Sequence, residues 1–190
     1  IVSLSYNRKM YIAPDVQLEF FDAGHILGSA LANVTIRGVH TGLSAPMYST
    51  DGNDEIRILY TGDIGRKKKP IIRDPAINVP APDYIVLEST YGDRKHEDSA
   101  FAMKQLERIV REAVAKKGKI IIPSFAIERA QELVYYLHLL TDKKKIPTIP
   151  IYVDSPMATN ATSVFRVHPE CYDSSVNEAF LKHHKNPFGF

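Results

Sequence analysis

Apolar residues along this chain follow two rhythms. Short apolar and β-branched runs at residues 16–21 and 30–36, bounded by Gly, Pro and Asp, predict strands, and residues 22–29 form the loop between them. Residues 56–60 predict a third strand, reached through the polar Gly/Ser/Asp stretch 41–54, and residues 84–87 a fourth, entered from Pro80-Ala81-Pro82. Beyond Glu88 the period lengthens. Ala102, Leu106, Ile109 and Ala113, with Met103, Val110 and Val114, recur at helical spacing and predict an amphipathic helix over 98–117 that Gly118 ends. A buried-type strand over 119–123 follows, then a helix over 127–140 with Ala130, Leu133, Val134 and Leu137 on one face, then a strand over 149–153. The pattern predicts an α/β protein, mostly β in its first part and a parallel α/β layer in its second, with the changeover at 88–98.

Composition narrows the picture. With 190 residues, 44% hydrophobic and 24% charged, the chain reads as soluble and globular, either one domain or two halves with modest cores, and a large multidomain machine is excluded. Lys+Arg 24 against Asp+Glu 22 is too near balance to imply nucleic acid by itself, so any basic surface must come from local clustering. Cys171 is the single cysteine, which excludes an intramolecular disulfide and a thiolate zinc site and makes a reducing cytoplasm the expected compartment. No run approaches the roughly 18 apolar residues of a membrane span, so no membrane partner is expected. The chain begins at Ile1 and stops at Asn186-Pro187-Phe188-Gly189-Phe190 without a tapering polar tail, and is expected to be a piece of something longer.

Four segments place polar residues directly after apolar strands, where side chains leave a sheet and converge. In Asp22-Ala23-Gly24-His25-Ile26-Leu27-Gly28-Ser29 the glycines leave the backbone beside His25 unhindered, so its imidazole reads as a zinc ligand or as a structural histidine. In Thr61-Gly62-Asp63-Ile64-Gly65 the acid reads as a carboxylate that bridges metals or holds water, or as a turn or helix cap. Glu88, after three apolar residues and before Ser89-Thr90-Tyr91-Gly92, needs a hydrogen-bond partner or a shifted pKa. Pro123-Ser124-Phe125-Ala126, followed by Glu128-Arg129-Ala130-Gln131, and Asp154-Ser155-Pro156-Met157-Ala158 read as strand-to-helix turns, which favour phosphate or simply cap a helix.

Together, in this order, these motifs resemble the β-CASP branch of the metallo-β-lactamase superfamily, over roughly residues 17–190. The resemblance implies a partial αββα sandwich, residues 1–92, followed by the first part of a β-CASP domain, residues 93–190. It implies a zinc-dependent ribonuclease, endonuclease or exonuclease, acting in RNA processing or decay. His25 would be a ligand of one zinc, Asp63 would bridge both, and Glu88 would orient a histidine further along the chain that protonates the leaving oxygen. Ser124, Arg129, Ser155 and His96 are carried over as RNA-phosphate contacts. His96 alternatively stands exposed at a helix start.

The family's His-x-His-x-Asp-His segment does not occur in this chain, and its later histidines would lie beyond Phe190. Two of the ligands are therefore expected here, with zinc bound weakly or not at all and no activity in this piece alone. RNA is the expected partner, alongside a second copy of the chain or the subunits of a processing complex. Arg66-Lys67-Lys68-Lys69 reads equally as an RNA-phosphate contact or a solvated loop, and Lys143-Lys144-Lys145 as a charge cluster at a helix end. Two other readings compete: a non-catalytic scaffold for RNA binding or complex assembly, and a hydrolase of small esters or thioesters. The second leaves the part from Asp93 onward without a role.

Overall fold

A computed structural model describes residues 2–38, 55–95, 99–174, 176–178 and 188. The chain divides into two compact units. Ile1–Lys68 and Asp74–Thr90 form the first, Lys69–Arg73 and Tyr91–Phe190 the second.

The first unit is built on a five-stranded sheet in the order β1 (Lys9–Ala13), β2 (Val16–Asp22), β3 (Ala30–Arg37), β4 (Glu55–Tyr60), β5 (Tyr84–Val86). The first four pair antiparallel and β5 joins β4 in parallel, with Ile58 opposite Tyr84. Register sets what lies inside. Phe21 faces Leu31, Glu19 faces Asn33, and Asn33 faces Leu59, so the period-two alternation puts these side chains on one face. That face is apolar at one end, where Phe21, Leu31, Leu59 and Ala23 form a buried cluster, and polar at the other, where Glu19, Asn33 and Thr35 are buried. β2 and β4 run in the same direction as β5. Their C-terminal ends therefore lie along one edge of the sheet, beside the apolar cluster.

The second unit carries α1 (Ser99–Ala115), α2 (Arg129–Asp142), α3 (Pro156–Val167) and a 3-10 turn at Pro169–Cys171. Val110, Leu137, Leu140 and Ile146 bury one core between α1 and α2, with Met103 and Leu106 packed against it. A second core is aromatic. The rings of Phe165 and Phe188 meet edge-on at 5.7 Å and those of Tyr172 and Phe188 at 6.3 Å, and the Tyr172 hydroxyl donates to the Phe165 carbonyl at 2.6 Å. Residues 69–73 are stitched to this core. Ile71 and Ile72 are buried, Ile72 pairs with Tyr172 in an isolated bridge, and the Asp173 amide donates to the Ile71 carbonyl at 2.8 Å.

The α/β class and the four expected strands of the first part are present, with ends within a residue or two of the expectation. β1 is an addition: its exposed, weakly alternating Lys9-Met10-Tyr11-Ile12-Ala13 carries little strand signal. The two strands expected at 119–123 and 149–153 do not form. Apolar composition announces a wish to be buried, but a strand exists only against a ladder partner, and among the described residues neither segment has one. Ile120 and Ile149 pack against the Val110–Leu137 core, while Ile121 at 92% and Tyr152 at 87% exposure stand in solvent. The expected loop 41–54 and His96 lie outside the described residues.

Candidate metal centre and its surroundings

Three of the sequence-derived site residues meet at the C-terminal edge of the sheet, each delivered by a different strand. The loop after β2 is pinned by Ser29: its hydroxyl oxygen accepts from the amides of His25 at 3.1 Å and Ile26 at 3.2 Å, and its own amide donates to the Ile26 carbonyl. Asp22 closes the other side by accepting from the Gly24 amide at 2.8 Å, and Gly24 takes a positive φ of 60°. The Tyr6 hydroxyl holds the Ser29 carbonyl from outside at 2.7 Å. His25 is thus fixed by backbone contacts on both flanks while its ring stays accessible.

The loop after β4 is laid directly on this one. The Gly65 amide donates to the Ala23 carbonyl at 2.8 Å, and a Cβ on Gly65 would stand 1.7 Å from the Gly24 carbonyl oxygen. Only glycine permits that approach. Gly62, at φ 51°, turns the chain out of β4, and the Thr61 amide ties its start to the Val86 carbonyl at 3.0 Å. As a result His25 Nε2 comes to 4.0 Å from Asp63 Oδ2, with side chains 40% and 73% exposed, open to a dissolved ion.

Glu88, just beyond β5, completes the arrangement from the third side. Its Oε1 accepts from the Ile64 amide at 2.7 Å, and its own amide donates to Thr61 Oγ1 at 3.3 Å. The Ile64 amide, then the Thr90 hydroxyl, hold the Glu88 carboxyl below the usual carboxylate range, with a smaller pull from His25. Glu88 is therefore an ionised anchor for the Asp63 loop.

Imidazole and carboxylate are both good zinc donors, and two donors on one tetrahedral ion sit roughly 3.3 Å apart. The pair at 4.0 Å fits two positions of such a shell after a small closure. Among the described residues no group of three His, Cys, Asp or Glu side chains is placed to hold a metal ion.

Ser124, Arg129 and Ser155 belong to the second unit. Ser155 is the N-cap of α3, its hydroxyl accepting from the Ala158 amide at 3.2 Å ahead of Pro156. Arg129 pairs with Glu132, one turn further along α2, at 3.2 Å, and Ser124 is exposed. In the basic run after Asp63, Lys67 and Lys68 are exposed, but Lys69 is not a solvated cation: its side chain is 9% exposed and its Nζ lies 3.6 Å from Glu128 Oε1 within the second unit. Composition could not separate Lys69 from its neighbours. Gly65 and Ser29 sit in the motifs around Asp63 and His25, where sequence alone gives them no role, and Tyr6 carries no signal at all.

The fold and this strand-end imidazole–carboxylate pair define an α/β protein with a candidate metal-binding pair. Comparison with known proteins says which. The Beta-Casp domain family matches residues 130–190. The chain is 34% identical to Ribonuclease TTHA0252 of Thermus thermophilus over 91% of its own length and 35% of that protein's. It is 32% identical to Transcription termination factor FttA of Methanosarcina mazei over 98% of its length and 27% of the relative's. With Cleavage and polyadenylation specificity factor subunit 3-I of Arabidopsis thaliana the figures are 31%, 90% and 22%. The chain spans about a third or less of these curated relatives. It belongs to the β-CASP branch of the metallo-β-lactamase superfamily.

Proposed function

We propose that the protein carrying this chain is a zinc-dependent ribonuclease that hydrolyses RNA phosphodiester bonds. The observation that carries the reading is the meeting of His25, Asp63 and Glu88 on three strand ends, held together by the Gly65–Ala23 and Ile64–Glu88 hydrogen bonds. The names of the relatives, a ribonuclease, a transcription termination factor and a cleavage and polyadenylation factor, support the substrate class. His25 and Asp63 would hold zinc, with Asp63 shared between two ions, and the remaining ligands would come from outside these 190 residues. At these residues zinc would supply a water of lowered pKa and positive charge to offset the negative charge developing on the phosphoryl oxygens. The chain's own contribution is positional: Ser29 fixes the imidazole, Gly65 sets the separation of the two loops, and Glu88 locks the loop of the carboxylate. Residues 1–92 would then belong to the metallo-β-lactamase part and 93–190 to the β-CASP part, and this piece alone would be inactive.

Replacing the bridging carboxylate tests the reading. In the full-length protein Asp63→Ala is expected to abolish RNA cleavage and release zinc while RNA binding stays measurable. Unchanged turnover overturns the metal assignment.

A further inference from the structure

The surface of the second unit carries a line of cations that the metal centre does not use. On α1, Lys104, Arg108 and Arg111 recur at i, i+4 and i+7, which places them on one exposed face about 6 Å and then about 4.5 Å apart along the axis. Where α2 ends, Lys143 caps the helix and Lys144 takes a left-handed φ of 54°, the conformation that turns a chain sharply off a helix. The amides of Lys144 and Lys145 close onto the carbonyls of Thr141 and Leu140 at 2.9 and 2.8 Å. That turn brings Lys144 and Lys145 to the wall of a 620 Å³ cleft opposite Arg111, floored by the buried Ile146 and edged by the hydroxyls of Thr141 and Thr148. A second cleft, sharing Glu107 and Arg111, continues the line along α1 past Arg108 to Lys104.

Five cations face two carboxylates on this strip. Glu107 and Glu112 engage Arg111 and Arg108 at 3.6 and 3.9 Å, while among the described residues Lys104, Lys144 and Lys145 have no carboxylate in ion-pair range. Neither cleft has an aromatic wall. A protein partner would want aromatic anchors in a dry pocket, and base recognition would want stacking surfaces, so neither is served here. Regularly spaced exposed cations with flanking hydroxyls suit a repeating anion whose bases point away. Their spacing is of the order of the step between neighbouring phosphates on a strand.

We propose that the α1 face and the α2 C-terminal turn form a sequence-independent track for the RNA sugar–phosphate backbone. It is a second contact surface in addition to the metal centre, with Arg111, Lys144 and Lys145 at its heart. The inference rests on the RNA reading above.

The test uses the full-length protein with Asp63→Ala, so that substrate survives, and a labelled single-stranded 30-mer titrated across a range of KCl concentrations. Adding Arg111→Gln, Lys144→Gln and Lys145→Gln is expected to flatten the slope of log affinity against log salt by about 2, three phosphate contacts at ~0.7 each. The loss is expected to be equal for oligo-uridine and for mixed sequence. The charge-retaining pair Lys144→Arg and Lys145→Arg is expected to keep the parental slope, which separates lost charge from lost folding. A parental slope in the triple variant overturns the track and leaves the nuclease reading standing. So does a result in which only binding of a poly-glutamate peptide is lost, which would mark an acidic protein site. Absence of any RNA affinity in the parent overturns the RNA reading, and the track with it.

Discussion

At the scale of single residues, bringing His25 and Asp63 together is a problem of how close two backbones can come. Gly62 and Gly65 flank the same aspartate but carry different burdens. Gly62 needs a positive φ, and a Cβ there would meet nothing nearer than 3.8 Å, so Gly62→Ala is expected to cost only the left-handed penalty of about 1–2 kcal/mol. At Gly65 the Cβ would overlap a carbonyl 1.7 Å away, and one loop must leave the other. Gly65→Ala is expected to cost more than Gly62→Ala, about 3 kcal/mol or above, and to lower zinc content as well as melting temperature. Equal melting temperatures for the two variants would contradict this. Glu88 offers a separate test, because Glu88→Gln keeps an oxygen to accept from the Ile64 amide but loses the charge. Melting should then change little, while turnover falls about 100-fold and substrate affinity less than about 3-fold. A loss confined to affinity would contradict the role that the family resemblance implies for Glu88, orienting a histidine that protonates the leaving oxygen.

At the scale of elements, the entry to α2 stores a conflict. Glu128 precedes the helix at φ 66° and ψ −57°, and the Arg129 amide donates to the Ile127 carbonyl at 2.9 Å, a γ-turn of the strained, positive-φ form. Its side chain is 5% exposed and its carboxyl faces Lys69 at 3.6 Å, close enough for an ion pair but too far for a hydrogen bond, with Glu132 and Arg129 nearby. Burial wins over the ammonium. The Glu128 pKa is pushed up from 4.5 to about 7, chiefly by desolvation, with Lys69 pulling the other way. Because the folded state holds this proton more tightly than the unfolded one, stability falls as pH rises from about 4.5 to about 7. It then levels off, with a total cost of up to about 3 kcal/mol. Glu128→Gln removes the titration: it is expected to melt above the parent at pH 8 and to converge with it near pH 4. A parent that instead gains on the variant as pH rises would show that Lys69 more than repays the burial. None of this was legible in the sequence, where Glu128 is one more acid in the first turn of an expected helix and Lys69 one more cation in a run of four. Helices α1 and α2 were legible because their period reports a local geometry that needs no partner to be recognised. His25, Asp63 and Glu88 were legible as candidates because each follows a strand, and strand ends are where a sheet gathers its polar side chains. Their 4.0 Å approach depends on Gly65 lying against Gly24, a contact between distant positions that periodicity cannot encode.

At the scale of the whole molecule, each unit has its own buried core, yet apolar surface is distributed unevenly. Ile121, Phe125 and Tyr152 stand more than four-fifths exposed, and they lie in or beside the segments where sequence predicts strands that the described chain leaves unpaired. An amide exchanges with solvent only while its hydrogen bond is open, so pairing can be read from the slowing. In the 190-residue chain the amides of 119–122 and 151–153 are expected to exchange within seconds. Those of β2 and β3, paired along their whole length from Val16–Ile36 to Asp22–Ala30, should be slowed by about 1,000-fold or more. The full-length protein should protect all four segments, because the apolar composition of 119–123 and 149–153 makes sense only against neighbouring strands. Slow exchange of the two unpaired segments in the short chain would mean that a ladder forms without further sequence. Fast exchange in the full-length protein would mean that these residues serve as exposed extended linkers, and that their hydrophobicity answers to something other than a sheet.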